Sequence, residues 1–297
     1  MSTPKHFLAL EKFPLAAARD ILERAAKFKA GRGKAAQPQP LAGQTWALIF
    51  SKASTRTRVS FEVGIRELGG NALFLSAADI QLGRGEPIKD TARVLGRMLH
   101  GAVIRTFAQS DVDDFAAFSG IPTVNALTDA EHPCQVLADI FTYEEKRGPI
   151  AGKKVVFIGD AACNMGVSWA HAAEAFGFDL VCAAPEGYRC PVSNARVTQT
   201  ADPLAAAQDA DLLYTDVWVS MGKEAESARR CQEMAPYQIN DALIARAQPE
   251  ALVFHCLPAY RGKEITEKVL EERAQDIFDE AENRLHVQKG VLDWLVS

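Results

Sequence analysis

Residues 51–58 carry the side chains best suited to chemistry, because they join a predicted buried strand, 46–50, to a predicted helix. Ser54 is a good helix N-cap, and the free backbone N–H groups at a helix start favour a bound anion. The following residues supply two hydroxyls and two guanidinium groups: Thr55, Arg56, Thr57 and Arg58. This stretch, the phosphate cradle, therefore predicts a phosphate site. The alternative is a capped surface helix with two solvated arginines.

Two further polar clusters follow predicted strands in the first half of the chain. Arg105 lies near the carboxyl end of strand 101–107, and His132 and Gln135 follow strand 123–127. The alternative for Arg105 by itself is an ion pair with a carboxylate at the sheet margin, and the alternative for His132 by itself is a turn residue before a proline. Ligands of open parallel sheets bind outside the carboxyl ends of the strands, so we expect these side chains to converge with the phosphate cradle.

Two clusters in the second half also follow predicted strands. Asp216 precedes the segment 220–222, and Cys256 precedes Leu257 and Pro258, where proline lowers the cost of a cis peptide bond. Taken singly, Asp216 is a turn cap and Cys256 a small buried hydrophobic residue. Together, an anion and a soft thiol predict a cleft wall that receives a cationic amine.

Strands and helices alternate in both halves, which predicts an α/β fold with a domain boundary near the turn at 148–149. Apolar spacing predicts a helix over 13–32, and short apolar runs predict strands over 71–76 and 154–158. The loop 159–166 lacks the GxGxxG spacing, so we infer no NAD site.

Composition excludes several classes of protein. The 297 residues are 48% hydrophobic and carry a net charge of -5, which is typical of a soluble globular chain of two domains and not of a nucleic-acid binder with a dominant basic face. No apolar stretch approaches the roughly 18 residues needed to cross a bilayer. The six cysteines show no CxxC spacing, so neither a disulfide framework nor a zinc site is indicated, and we expect a cytoplasmic protein.

These motifs resemble the aspartate/ornithine carbamoyltransferase family over nearly the whole chain. The resemblance implies that carbamoyl phosphate is bound by Ser54, Thr55, Arg56, Thr57, Gln81, Arg105, His132, Gln135, Cys256, Leu257 and Arg284. It implies that ornithine is bound by Asn164, Asp216, Ser220 and Met221. The catalytic residues in this comparison are Arg105, His132, Asp216 and Cys256. Gln81 matches a position that reaches a neighbouring subunit's site.

The resemblance also implies the architecture: two doubly wound parallel-sheet domains, with the active site in the cleft between them. Residues 1–147 would bind carbamoyl phosphate, with the last helix, 281–297, packing back on that domain, and residues 148–280 would bind ornithine. The family needs no metal or organic cofactor and forms homotrimers or multiples of trimers. No nucleic acid or membrane partner is expected.

The expected reaction transfers a carbamoyl group to the δ-amine of L-ornithine, giving L-citrulline and phosphate in arginine biosynthesis. The 83–87 loop and the segment before Asn164 differ from other members, so a related amine, an N-acylated ornithine or putrescine, is the alternative acceptor. Asp216 argues against aspartate as the acceptor, because its carboxylate repels another. A non-catalytic phosphometabolite sensor on the same fold would not need the Asp216 and Cys256 pair.

Overall fold

The computed structural model describes residues 4–34, 37–80, 85–220, 222 and 224–297. The chain divides into two compact units, the first running to Ala138 and resuming over Asn283–Ser297, the second spanning Asp139–Glu282. Each unit contains one five-stranded parallel sheet, which confirms the predicted fold class of two parallel-sheet α/β domains. Among the described residues, no helix combines the length and the hydrophobicity that a membrane span requires.

The first unit has its sheet in the strand order β1-β5-β4-β2-β3. The strands are β1 (His6–Phe7), β2 (Thr45–Phe50), β3 (Asn71–Ser76), β4 (Gly101–Arg105) and β5 (Thr123–Leu127). The helices are α1 (Leu15–Gly31), α2 (Thr55–Glu67), α3 (Ile88–Leu95), α4 (Gln109–Ser119) and the start of α5 (Pro133–Arg147). Nearly every residue of β2 and β4 is buried, as expected where both faces of a parallel sheet are covered.

Helix α2 begins and ends where its sequence dictates. Ser54 caps it, accepting a hydrogen bond from the Thr57 N–H at 3.3 Å. Phe61 and Ile65, one turn apart, are both fully buried. Gly69 then adopts a φ of +84°, which stops the helix without the steric cost that a side chain would bring.

The second unit has the strand order β10-β9-β6-β7-β8. Its strands are β6 (Lys154–Ile158), β7 (Asp179–Ala183), β8 (Val197–Thr200), β9 (Leu212–Thr215) and β10 (Leu252–His255). Its helices are α6 (Asn164–Phe176), α7 (Pro203–Ala207), α8 (Ser227–Met234), α9 (Asp241–Ile244), α10 (Glu267–Glu272) and the start of α11 (Ala274–Val296). The rest of α11 belongs to the first unit, where Lys289 bonds Glu67 at 2.7 Å and Asp293 bonds Arg24 at 2.7 Å.

Candidate active site

The phosphate cradle lies where the strand order of the first sheet reverses. The chain runs outward from β2 through β3 in one direction and through β4 and β5 in the other, so loops after β2 and β4 diverge at this edge. The Ser51 N–H donates to the Arg105 carbonyl at 2.8 Å, joining the two strand ends. The predicted convergence of Arg105 with the cradle is thus present in the backbone.

Lys52 anchors the start of the cradle, a role that the sequence analysis did not assign to it. Its ammonium group pairs with Asp129 in the loop after β5 and lies 4.3 Å from the centre of the Phe107 ring. The lysine is 7% exposed, so it is held within the fold. No local pattern reveals this residue, because its partners are more than fifty positions away in sequence.

Thr57 and Arg284 meet beside the cradle. The Arg284 Nη2 group donates to Thr57 Oγ1 at 2.6 Å, and the two residues are 3% and 1% exposed. A hydroxyl has one proton and two lone pairs, so accepting from Arg284 leaves the Thr57 proton available for an acceptor on the substrate. Arg284 comes from α11 and Thr57 from α2, 227 positions apart.

His132 is buried in the same unit beside two cations. Burial lowers its pKa well below the usual value, and the charges of Arg284 and Arg105 lower it further. The imidazole is therefore neutral near pH 7, and a neutral ring still offers one N–H donor. Gln135 lies buried one turn further into α5. This cluster offers donors to an oxygen that gains negative charge.

The residues of the phosphate cradle differ in exposure and in their contacts. Ser54 and Arg56 are half-buried and Thr55 is exposed. The expectation that Arg58 serves the phosphate site is not supported, since its guanidinium lies 3.6 Å from the centre of the Phe74 ring and pairs with Glu62 at 3.6 Å. Two residues along a helix correspond to a rotation of about 200°, so Arg58 lies on the side of α2 opposite to Arg56. Gln81 lies outside the described residues.

In the second unit, Asp216 and Cys256 follow adjacent strands. Thr215 of β9 pairs with His255 of β10, which places the next residue of each strand side by side. The Cys256 thiol donates to Asp216 Oδ1 at 3.0 Å, and the Val217 N–H donates to the same oxygen at 2.7 Å. The predicted pairing of anion and thiol is therefore present.

Burial sets the protonation states of this pair. It raises the pKa of Asp216, and it raises the pKa of Cys256 well above its usual value, with the negative charge of Asp216 adding to the effect. Cys256 is thus a neutral thiol near pH 7 rather than a thiolate nucleophile. Asp216 is a stronger base than an ordinary aspartate.

His255 and Glu264 hold the turn that carries Leu257. His255 Nδ1 accepts from the Leu257 N–H at 2.9 Å, and its Nε2 faces Glu264 Oε1 at 3.1 Å. Leu257 has a φ of +56°, and the peptide bond to Pro258 is cis, as the sequence allowed. Glu264 was not foreseen, because nothing in its local sequence marks a buried carboxylate.

Asp216, His255 and Cys256 also form a candidate metal cluster, with one ligand atom from each lying within 4.8 Å of the others. Both nitrogens of His255 already face partners, Leu257 and Glu264, in this arrangement. Only the carboxylate and the thiol remain as donors. A structural zinc site needs four protein ligands and a catalytic zinc site needs three, so two donors do not fit a resident zinc ion.

The remaining ornithine candidates belong to the second unit. Asn164 is the first residue of α6, where the helix start favours a carboxylate, and it follows β6 at the point where this sheet reverses. Ser220 is half-buried and lies four residues after Asp216. Met221 lies outside the described residues.

Two family models cover the chain almost end to end. Residues 5–145 match the carbamoyl-P binding domain of aspartate/ornithine carbamoyltransferase, and residues 151–295 match its Asp/Orn binding domain. The chain belongs to the aspartate/ornithine carbamoyltransferase family. The resemblance drawn from the motifs is thereby confirmed.

Relatives within this family align with this chain over nearly the full length of both proteins. An ornithine carbamoyltransferase of Akkermansia muciniphila is 56% identical and covers 98% of this chain and 98% of its own. That of Nitrosococcus oceani is 48% identical, covering 99% and 98%. The solved ornithine carbamoyltransferase from Pyrococcus furiosus has a TM-score of 0.91 at 43% identity, covering 98% of this chain and 96% of its own. The Burkholderia thailandensis structure has a TM-score of 0.90 at 43% identity, covering 98% of each.

Proposed function

We propose that this protein transfers the carbamoyl group of carbamoyl phosphate to the δ-amine of L-ornithine, giving L-citrulline and phosphate in arginine biosynthesis. The observation that carries the choice of acceptor is the Asp216–Cys256 pair, with 3.0 Å between sulfur and oxygen. A carboxylate beside a neutral thiol attracts an amine and repels the second carboxylate of aspartate. The names of the relatives agree with this acceptor.

Carbamoyl phosphate binds mainly to residues of the first unit. Ser54, Thr55, Arg56 and the start of α2 receive its phosphate, and Gln81 completes the phosphate site from a neighbouring subunit. Its carbonyl oxygen receives hydrogen bonds from Thr57, Arg105 and His132. Gln135, Cys256, Leu257 and Arg284 complete the contacts. Residues 1–147 and 281–297 thus form the carbamoyl phosphate domain, and residues 148–280 form the ornithine domain, which also contributes Cys256 and Leu257 to the carbamoyl phosphate site.

The amine must lose a proton before it attacks. A lysine-like amine has a pKa of about 10.4, so it is mostly protonated near pH 7. Asp216, or an oxygen of the bound phosphate, accepts that proton while Cys256 orients the nitrogen. The nitrogen then forms a bond to the carbamoyl carbon, and the carbonyl oxygen becomes negative against Arg105, Thr57 and His132.

The tetrahedral intermediate collapses when the bond between carbon and the bridging phosphate oxygen breaks. Arg56 and the helix start stabilise the departing phosphate. The second amine proton leaves with the phosphate or to solvent, so no covalent enzyme intermediate and no cofactor is needed.

Substrate profiling tests the acceptor. Ornithine should be carbamoylated, while aspartate, putrescine and N-acetylornithine should be poor acceptors, because Asn164, Asp216, Ser220 and Met221 bind the α-amino acid group. Putrescine lacks the α-carboxylate, so equal turnover of putrescine and ornithine would contradict this pocket. A preference for N-acetylornithine would favour the alternative function.

We also propose that the enzyme is a homotrimer or a multiple of trimers with shared sites. Support comes from exposed apolar side chains on neighbouring elements of the first unit, Val59 on α2 at 54% exposure and Leu73 on β3 at 44%. Strand β3 lies at one edge of its sheet among the described residues. Such apolar exposure is typical of an interaction surface.

Hybrid trimers test the sharing of sites. Arg56→Ala and Gln81→Trp subunits, each nearly inactive, are denatured together and refolded at equal concentration. If each site pairs the Arg56 of one subunit with the Gln81 of the next, every hybrid ring regains one native site, and activity returns to roughly a quarter of wild type. Each mutant refolded alone is the control. Hybrid rings seen by mass measurement without recovered activity would contradict shared sites.

A cytoplasmic location is the remaining part of the proposal. All six cysteines lie within the described residues and are free thiols. Reduced thiols are typical of a cytosolic protein, where disulfides are rare.

A further inference from the structure

Arg230 is an almost fully buried arginine that the proposed chemistry does not use. It lies on α8, is 5% exposed, and its Nη1 group donates both to Asp160 Oδ2 at 2.8 Å and to the Trp218 carbonyl at 3.2 Å. Its Nε donates to Glu226 at 2.9 Å. The guanidinium lies 4.9 Å from the centre of the Tyr188 ring. One rigid group thus holds several segments at fixed distances.

The two partners of Nη1 belong to different loops. Trp218 lies in the loop after β9, between Asp216 and Ser220. Asp160 lies in the loop after β6, where its Oδ1 accepts from the Ala162 N–H at 3.1 Å. That turn leads directly into Asn164, the first residue of α6. Both segments that carry the ornithine candidates are therefore attached to the same nitrogen atom.

The Asp160–Arg230 ion pair is isolated from solvent, with both side chains less than one-tenth exposed. A guanidinium is planar and always charged, and its fork fixes the directions of its hydrogen bonds. Apolar residues of similar volume often stabilise a fold as well as such a pair does, so stability alone does not account for a buried ion pair at this place. Its geometric precision is better explained by what it positions.

We infer that Asp160 and Arg230 act as a clamp that sets the spacing between the two loops which recognise the α-amino acid group of the acceptor, and that they are positioning residues for ornithine specificity. This inference rests on the proposed function. It assigns neither residue a contact with the reacting atoms. Loss of the clamp should therefore weaken recognition of the α-carboxylate and leave carbamoyl phosphate binding intact.

Arg230→Gln and Asp160→Asn test the clamp, with Arg229→Gln as the matched control. Arg229 is the neighbouring arginine and also pairs with Glu226, at 3.1 Å, but its side chain is 63% exposed. Each clamp variant should raise the KM for ornithine about tenfold, as expected for loops held out of register, with kcat and the KM for carbamoyl phosphate changed less than about twofold. The control should match wild type.

Two further readouts separate positioning from general destabilisation. The ratio of kcat/KM for ornithine to that for putrescine should fall about tenfold in both variants, because putrescine has no α-carboxylate to lose. The KM for ornithine of the double variant should be about the same as that of each single variant, because both residues act through one contact. Thermal unfolding identifies a variant that fails to fold, in which case Asp160→Asn, which keeps the guanidinium and its other partners, decides.

Folded variants with an unchanged KM for ornithine would overturn the clamp, as would equal losses for ornithine and putrescine. Wild-type protein that makes no citrulline would instead overturn the proposed function.

Discussion

Replacing Thr57 by valine removes the hydroxyl that accepts from Arg284 at 2.6 Å, while volume and β-branching are kept. The N–H group of Arg284 then faces a methyl group in a place where both residues are buried. The same substitution removes the proton that we assign to the substrate carbonyl oxygen. Stability and catalysis should both be affected.

The magnitude follows from the type of bond that is lost. A hydrogen bond to a charged group contributes about 1.5–3 kcal/mol. Each 1.36 kcal/mol is a factor of ten, so kcat/KM should fall roughly 10- to 150-fold if the bond is made in the transition state. Thr57→Ser keeps the hydroxyl and should remain within about fivefold of wild type.

Steady-state kinetics with both substrates measure this effect, and calorimetry with carbamoyl phosphate separates binding from chemistry. Thermal unfolding shows whether the valine variant is folded at the assay temperature. A folded Thr57→Val enzyme with kcat/KM within about threefold of wild type would refute the assignment of this hydroxyl.

Three further substitutions test the site. Arg56→Ala should weaken carbamoyl phosphate binding by about 1.5–3 kcal/mol in calorimetry. Arg58 stacks on Phe74, so Arg58→Ala should leave that affinity unchanged, and equal losses of affinity in the two variants would contradict the geometry. Burial raises the folded pKa of Asp216 above its unfolded value, so the protein loses stability as the pH rises through that folded pKa. Asparagine cannot ionise, so Asp216→Asn should raise the Tm at pH 7–8, while the loss of the base should lower kcat about 10²-fold or more. Gly166→Ala would put a Cβ 2.2 Å from the Ala161 carbonyl oxygen and should cost about 1–3 kcal/mol of unfolding free energy, whereas Gly187→Ala, in open space, should cost little.

The sequence predicts the sheets well where a strand is an apolar run of five or six residues. The strands 71–76, 123–127 and 154–158 match the structure residue for residue, because apolar runs bounded by turn residues leave few alternatives. Strand β1 was missed, since two residues carry no periodicity, and β8 was missed because its residues are largely exposed. Helix α3 ends at Leu95, where the chain approaches Ser119 so closely that a Cβ on Gly96 would lie 1.8 Å from the Ser119 carbonyl oxygen, and this contact cannot be read from the sequence.

The candidate site, too, could be predicted from the sequence only in part. Cysteine, aspartate and arginine side chains at strand ends could be predicted, because the topology of a parallel sheet gathers strand ends at one edge. The residues that hold them could not. Lys52, Glu264 and Arg230 act through partners brought close only by the fold, and each looks like an ordinary surface charge in its local sequence.

Transfer of the carbamoyl group itself is the most direct test of the proposed function. Purified enzyme is given carbamoyl phosphate labelled with ¹³C in the carbamoyl carbon, with and without ornithine, and citrulline and phosphate are counted together. The proposed reaction predicts one labelled citrulline for each phosphate released, ornithine-dependent phosphate release, and a rate that rises towards alkaline pH as the amine loses its proton. Phosphate released without labelled citrulline, or at the same rate when ornithine is absent, would contradict it.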